Sequence, residues 1–120
     1  MTRSKMADQH SRCIVVAFIS PKQGAFDQVK DILESVIPDV HKEPGCEFYA
    51  LHEDTVGRLV FIEAWDSREL WINHTGLDAV ATINERTEGL LASEPDVIEM
   101  YGLPVGGAQG VVPTLTSPSR

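Results

Sequence analysis

Two side chains of this sequence carry acid–base chemistry into apolar company. His74 shares one helical face with Leu70, and Glu63 falls on the strand face built by Leu59, Phe61 and Trp65. With an unperturbed pKa near 6.5, an imidazole suits removal of a phenolic proton from an electron-rich ring. His74 reads equally as a satisfied helix histidine that marks only the fold. A carboxylate on an apolar face either pairs with a cation, here Arg86 or Arg58, or functions with a raised pKa. Trp65, at the end of its strand, offers a flat wall to an aromatic ring or fills the core. Tyr49 stands to orient a substrate oxygen, or to pack with its hydroxyl at the rim. Trp71 and Asn73 flank His74 but project about a quarter turn or more away, as rim positions.

His52, Glu63 and His74 have the composition of a two-histidine, one-carboxylate iron site. They come from three elements at no recognised spacing, and strand parity does not bring them to one face. No metal is expected. The chain also carries no phosphate loop and no nucleophile triad.

The 120 residues include 10 basic and 18 acidic side chains, a formal charge of −8. This is one domain with a single core and little room for a deep private pocket. No basic stripe is present, which argues against nucleic acid or an anionic membrane surface as partner. No apolar run approaches the roughly 20 residues of a membrane span. The polar start is not followed by a signal-type segment, since Ile14 to Ile19 is too short, and a cytoplasmic setting follows by default. Cys13 and Cys46 make no metal spacing and demand no disulfide; buried packing at strand starts is their expected role.

The elements that must position these residues follow from periodicity. Residues 1–12 are polar and read as a flexible arm. Cys13–Ile19 is apolar throughout, a strand covered on both faces. Phe26, Val29, Ile32, Leu33, Val36, Ile37 and Val40 then recur at helical spacing opposite Asp27, Lys30, Asp31 and Glu34. Pro38 should kink or weaken the last turn. Glu43-Pro44-Gly45 stops the helix, and residues 46–52 and 58–65 form an antiparallel hairpin. Asp66 or Ser67 caps a helix that includes His74; Gly76 interrupts it, and helical spacing resumes over residues 77–91. Residues 97–101 make the last strand.

The order β-α-β-β-α-β predicts an α+β, ferredoxin-like domain over residues 13–102. Helices cover one face of its sheet, yet strands one and three are apolar on both. The economical cover is the same sheet of a second copy, so a homodimer packed sheet to sheet is expected, enclosing a chamber touched by His74. Residues 103–120 hold Pro, Gly, Ser and Thr without periodicity. If ordered, this tail would lie along a partner subunit.

Glu43-Pro44-Gly45-Cys46 ahead of Phe48-Tyr49, then Phe61-Ile62-Glu63-Ala64-Trp65-Asp66-Ser67, then His74, resemble the antibiotic biosynthesis monooxygenase (ABM) domain. The resemblance covers residues 13–101 and implies a dimeric α/β barrel. It implies one of several activities: cofactor-independent oxygenation of polyketide anthrones and quinols, or haem degradation. Haem-degrading members carry an asparagine in the first strand, a tryptophan near the position of His74, and an iron-ligating histidine further along. Here the first strand has no asparagine, His74 stands where the tryptophan would, and Asn84 or a neighbour stands where the ligand would. The His74 form resembles the anthrone and quinol branch.

That branch implies His74 as base, Trp65 and Trp71 shaping a ring pocket, Tyr49 orienting an oxygen, and Glu63 and Asn73 as further substrate contacts. A small aromatic substrate and dioxygen are then the partners, with no cofactor. The rival expectation is a non-catalytic dimeric module that holds a small apolar ligand.

Overall fold

A computed structural model describes residues 8–115. Four strands, β1 (Cys13–Ile19), β2 (Cys46–Glu53), β3 (Leu59–Trp65) and β4 (Asp96–Met100), and three helices, α1 (Phe26–His41), α2 (Arg68–His74) and α3 (Asp78–Arg86), follow the expected order. The strands form one antiparallel sheet in the order β2-β3-β1-β4. This is the ferredoxin-like α+β arrangement.

Register decides which side chains meet. Tyr49 lies opposite Glu63 and Glu63 opposite Val15, so one row of the helix-facing side runs from β2 through β3 into β1. The next row sets Cys46 and Cys13 on either side of Trp65. Helix α1 buries Val29, Ile32, Leu33, Val36 and Val40 on this face, as its apolar spacing requires. Pro38 lies inside α1, which continues past it to His41; the bond it forgoes is the one to the Glu34 carbonyl. Beyond it the Lys42 N–H still reaches the Asp39 carbonyl at 3.1 Å.

The Glu43-Pro44-Gly45 turn has a packing reason. Gly45 sits at φ 82°, and a Cβ there would lie 2.8 Å from Leu70 Cβ. Only glycine combines that backbone with so close an approach of α2. The Gly45 carbonyl accepts from Asp66 N–H at 2.8 Å, tying the turn to the corner between β3 and α2. Ser67 is the N-cap, its hydroxyl accepting from Leu70 N–H at 3.2 Å. The carbonyls of Ser11 and Gln9 receive Arg68 N–H and Glu69 N–H, which draws the end of the N-terminal arm into the fold.

The helical stretch after Gly76 is shorter than its apolar spacing predicts. It stops at Arg86, where the Thr87 hydroxyl bonds back to the Ile83 carbonyl and Gly89 turns the chain at φ 81°. Leu91, expected on the helix, instead bridges Pro21.

The side of the sheet away from the helices is apolar too. Ile14, Val16 and Phe18 alternate outward with Val60, Ile62 and Ala64, joined by Ile98 and Met100 from β4. Ile62, Ile98 and Met100 remain 37%, 41% and 37% exposed. Among the described residues, no helix is long and apolar enough to cross a membrane.

Candidate active site

The inward face of α2 carries His74 against the sheet, where it is only 4% exposed. Its Nδ1 lies 2.6 Å from Glu43 Oε1, itself largely buried. A carboxylate accepting from Nδ1–H fixes that tautomer and leaves Nε2 free for proton transfer. The Pro44-Gly45 turn holds Glu43 in place, and the packing of Gly45 on Leu70 sets the distance to α2.

Two aromatic rings flank the imidazole. The Trp65 ring centre is 4.5 Å away and tilted by 32°. Tyr49 meets it edge-on at 5.5 Å and stacks on Phe61 at 4.2 Å. Glu63, on the same sheet face, accepts the Trp65 indole N–H at 3.0 Å. Burial pushes the Glu63 carboxyl up to about 7, against the pull of the indole donor and with help from the Glu43 charge. Burial likewise raises Tyr49 far above a normal phenol, so it stays neutral.

The partner expected for Glu63 was Arg58 or Arg86. The indole of Trp65 takes that place, because residues two apart on a strand share a face. Arg58 instead pairs with Asp54 at 2.6 Å and lies over the Phe18 ring on the other side of the sheet. Trp71 packs half-buried against the core, and Asn73 is exposed, so Asn73 is not brought to the imidazole. His52 pairs with Val60 on the face opposite Glu63, which separates the three residues of the imagined iron site.

Glu43 was legible only as part of a motif. The signal was an acid held directly before Pro-Gly, in a turn whose stiffness aims its side chain. Nothing in the spacing said that it would meet an imidazole 31 positions on.

His74 packs against the Trp65 and Tyr49 rings and is almost sealed from solvent. The open space lies beside it, a groove of about 700 Å³ between α1 and the free edge of β2. Ile37, Leu51 and Leu59 form its floor, with Lys30, Glu34 and His41 along the rim. His41 Nε2 reaches the outward Tyr49 carbonyl at 3.1 Å, closing part of the strand edge. Tyr49 lines the groove, whereas His74, Trp65 and Glu63 do not. Tyr49 thus links the two, a lining residue of the groove whose ring also meets the imidazole.

No curated protein matches the chain significantly. Solved structures do. The Rv0793 protein of Mycobacterium tuberculosis is 26% identical, covering 82% of this chain and 99% of its own, with a TM-score of 0.73. PA3566 of Pseudomonas aeruginosa shares the fold at 20% identity, 81% and 97% coverage and a TM-score of 0.71. A crystal structure of an antibiotic biosynthesis monooxygenase superposes with a TM-score of 0.71 at 24% identity, covering 77% of this chain and 99% of that one. The sequence pattern of the antibiotic biosynthesis monooxygenase family matches residues 12–86, through both motif blocks and His74. The chain belongs to the antibiotic biosynthesis monooxygenase family.

Proposed function

We propose that the protein is a cofactor-independent monooxygenase that oxidises a quinol- or anthrone-like aromatic with dioxygen. The observation that carries this reading is the buried Glu43–His74 hydrogen bond set against the Trp65 indole. Glu43 holds Nδ1–H, and Nε2 takes a proton from the substrate. The resulting phenolate or carbanion passes one electron to dioxygen. Radical and superoxide combine to form a C–O bond, and protonation gives a hydroperoxide. Loss of water then breaks the O–O bond and leaves a carbonyl on the ring. One oxygen atom ends in product and one in water, with every electron drawn from the substrate.

A dry site with a base and fixed ring orientation is what such chemistry needs from a protein. In this reading Glu63, whose carboxyl burial pushes up to about 7, returns a proton to the peroxide. Substrate reaches the imidazole from the α1–β2 groove, and the Tyr49 ring turns aside to admit it. The working unit in this reading is a homodimer joined through the outer sheet face, which supplies the cover that Ile62, Ile98 and Met100 lack.

The test is oxygen uptake with an anthrone and a simple hydroquinone, with no flavin, nicotinamide or metal added. Turnover that disappears in a folded His74→Ala variant supports the enzyme. The burial of His74 away from the groove lining favours a second reading, a binding module for a small apolar ligand in the groove. Equal ligand retention by both proteins, with oxygen uptake by neither, selects that second reading.

A further inference from the structure

After β4 the chain folds back instead of leaving the domain. It turns at Gly106 and Gly107, with φ of 87° and 76°, and makes one 3-10 turn over Gly107–Gly110. Gly110 packs so closely on the Val105 carbonyl that a Cβ would collide with it. This is a built turn, aimed at the end of the sheet where β1 and β2 begin.

There Arg12 fastens it. Nη1–H donates to the Val112 carbonyl at 2.5 Å and Nη2–H to the Pro113 carbonyl at 2.8 Å. The same guanidinium grips Glu47 of β2 through Nε and Nη2, the shortest bond being 2.7 Å. Two residues past Pro113, Leu115 joins the lining of the α1–β2 groove, which Cys46 and Tyr49 also line.

The segment is fastened but not sunk. Leu115 is 65% exposed although it lines the groove, and Val111 and Val112 are 42% and 38% exposed. A charged fork on two backbone carbonyls holds it, while burial contributes little. A segment turned at a glycine hinge, fastened at one charged point and touching a groove only through Leu115 can lift without disturbing the core.

We propose that residues 111–115 are a strap that sets Leu115 on the α1–β2 groove, fastened by the Arg12–Glu47 pair, whose release admits ligand. Its purpose rests on the reading of that groove as the substrate's way in; its geometry and its test do not.

Cys46 reports on the groove directly. It lines the space half-buried, and burial pushes its thiol up to about 12, so it alkylates slowly while the groove is covered. Cys13 is fully buried and serves as the internal reference. The experiment follows iodoacetamide modification of each cysteine by peptide mass at mildly alkaline pH. It compares the full chain, a chain ending at Gly110, Arg12→Gln and Leu115→Ser. Ending the chain at Gly110 should raise the Cys46 rate about fivefold or more, and Arg12→Gln about threefold, with Cys13 unreacted. Leu115→Ser keeps the fastening and should rise less than Arg12→Gln. Rates within about twofold of the full chain in all three variants overturn the strap. So does Cys13 reacting in step with Cys46, the mark of general loosening. Absence of oxygen uptake would sink the enzyme reading and leave this comparison of rates untouched.

Discussion

His74 Nδ1 and Glu43 Oε1 meet at 2.6 Å, the one from helix α2 and the other from the turn that ends α1. A glycine pressed onto Leu70 joins the two elements, so the hydrogen bond inherits its length from backbone packing. Glu43→Gln keeps an acceptor for Nδ1–H but removes the charge, and Glu43→Ala removes both. Oxygen uptake should fall in that order, by up to about a hundredfold for Ala. Glu43→Ala should also cost about 2 kcal/mol, since a buried N–H is left unsatisfied. Uptake by Glu43→Ala equal to that of the unmodified protein would remove Glu43 from the site.

Glu63 makes stability depend on pH in an unusual direction. Its folded pKa is raised, from 4.5 to about 7, so between those values the folded state binds more protons than the unfolded one. The contribution is fully present below about 4.5 and is lost as pH rises through 7. At one pKa unit per 1.36 kcal/mol the loss is about 3 kcal/mol. Glu63→Gln does not ionise and should escape it. Urea melts at several pH values should show the variant gaining on the unmodified protein from pH 5 to pH 8; parallel curves would contradict the raised pKa.

Gly45→Ala tests the turn that seats Glu43. The substitution meets a positive φ and the Leu70 side chain together, for a cost of about 2–4 kcal/mol. Adding Leu70→Ala takes away the Cγ and Cδ1 atoms that the new Cβ would meet, and leaves the 2.8 Å approach to Cβ and the backbone strain. The double variant should therefore lose about 1 kcal/mol less than the sum of the two singles. Strict additivity would show that the close approach carries no energy.

Ile62→Glu places a charge at the centre of the outer sheet face. If two sheets pack there, sedimentation should show a dimer for the unmodified protein and a monomer for the variant, each with an unchanged far-ultraviolet spectrum. A monomer in both cases defeats the sheet-to-sheet pairing.

Periodicity made most of the fold legible. Strand β1 betrayed its central position by being apolar at all seven places, and the parity of Leu59, Phe61, Glu63 and Trp65 put one acid among three hydrophobes. Three features escaped for physical reasons. Glu63 was matched to an arginine because opposite charge is the default partner of a buried carboxylate, yet an indole N–H two residues away satisfies it without a second charge. The groove depends on β2 being an edge strand next to α1, a fact of sheet order that no local pattern encodes. Likewise Thr87 and Gly89 end α3 through a hydroxyl bond and a left-handed residue, beneath an apolar spacing that continues unchanged.

Trp65 has Cys13 opposite it on one side and Cys46 on the other. The two sulfurs are therefore held a whole strand apart, with Cα atoms about two strand spacings, or roughly 9.6 Å, from each other. A disulfide tolerates only about 7 Å. Air or peroxide cannot staple this domain from within while β3 stays in the sheet. An intrachain bridge, caught on a non-reducing gel, would thus be a fossil of molecules that had let that strand go.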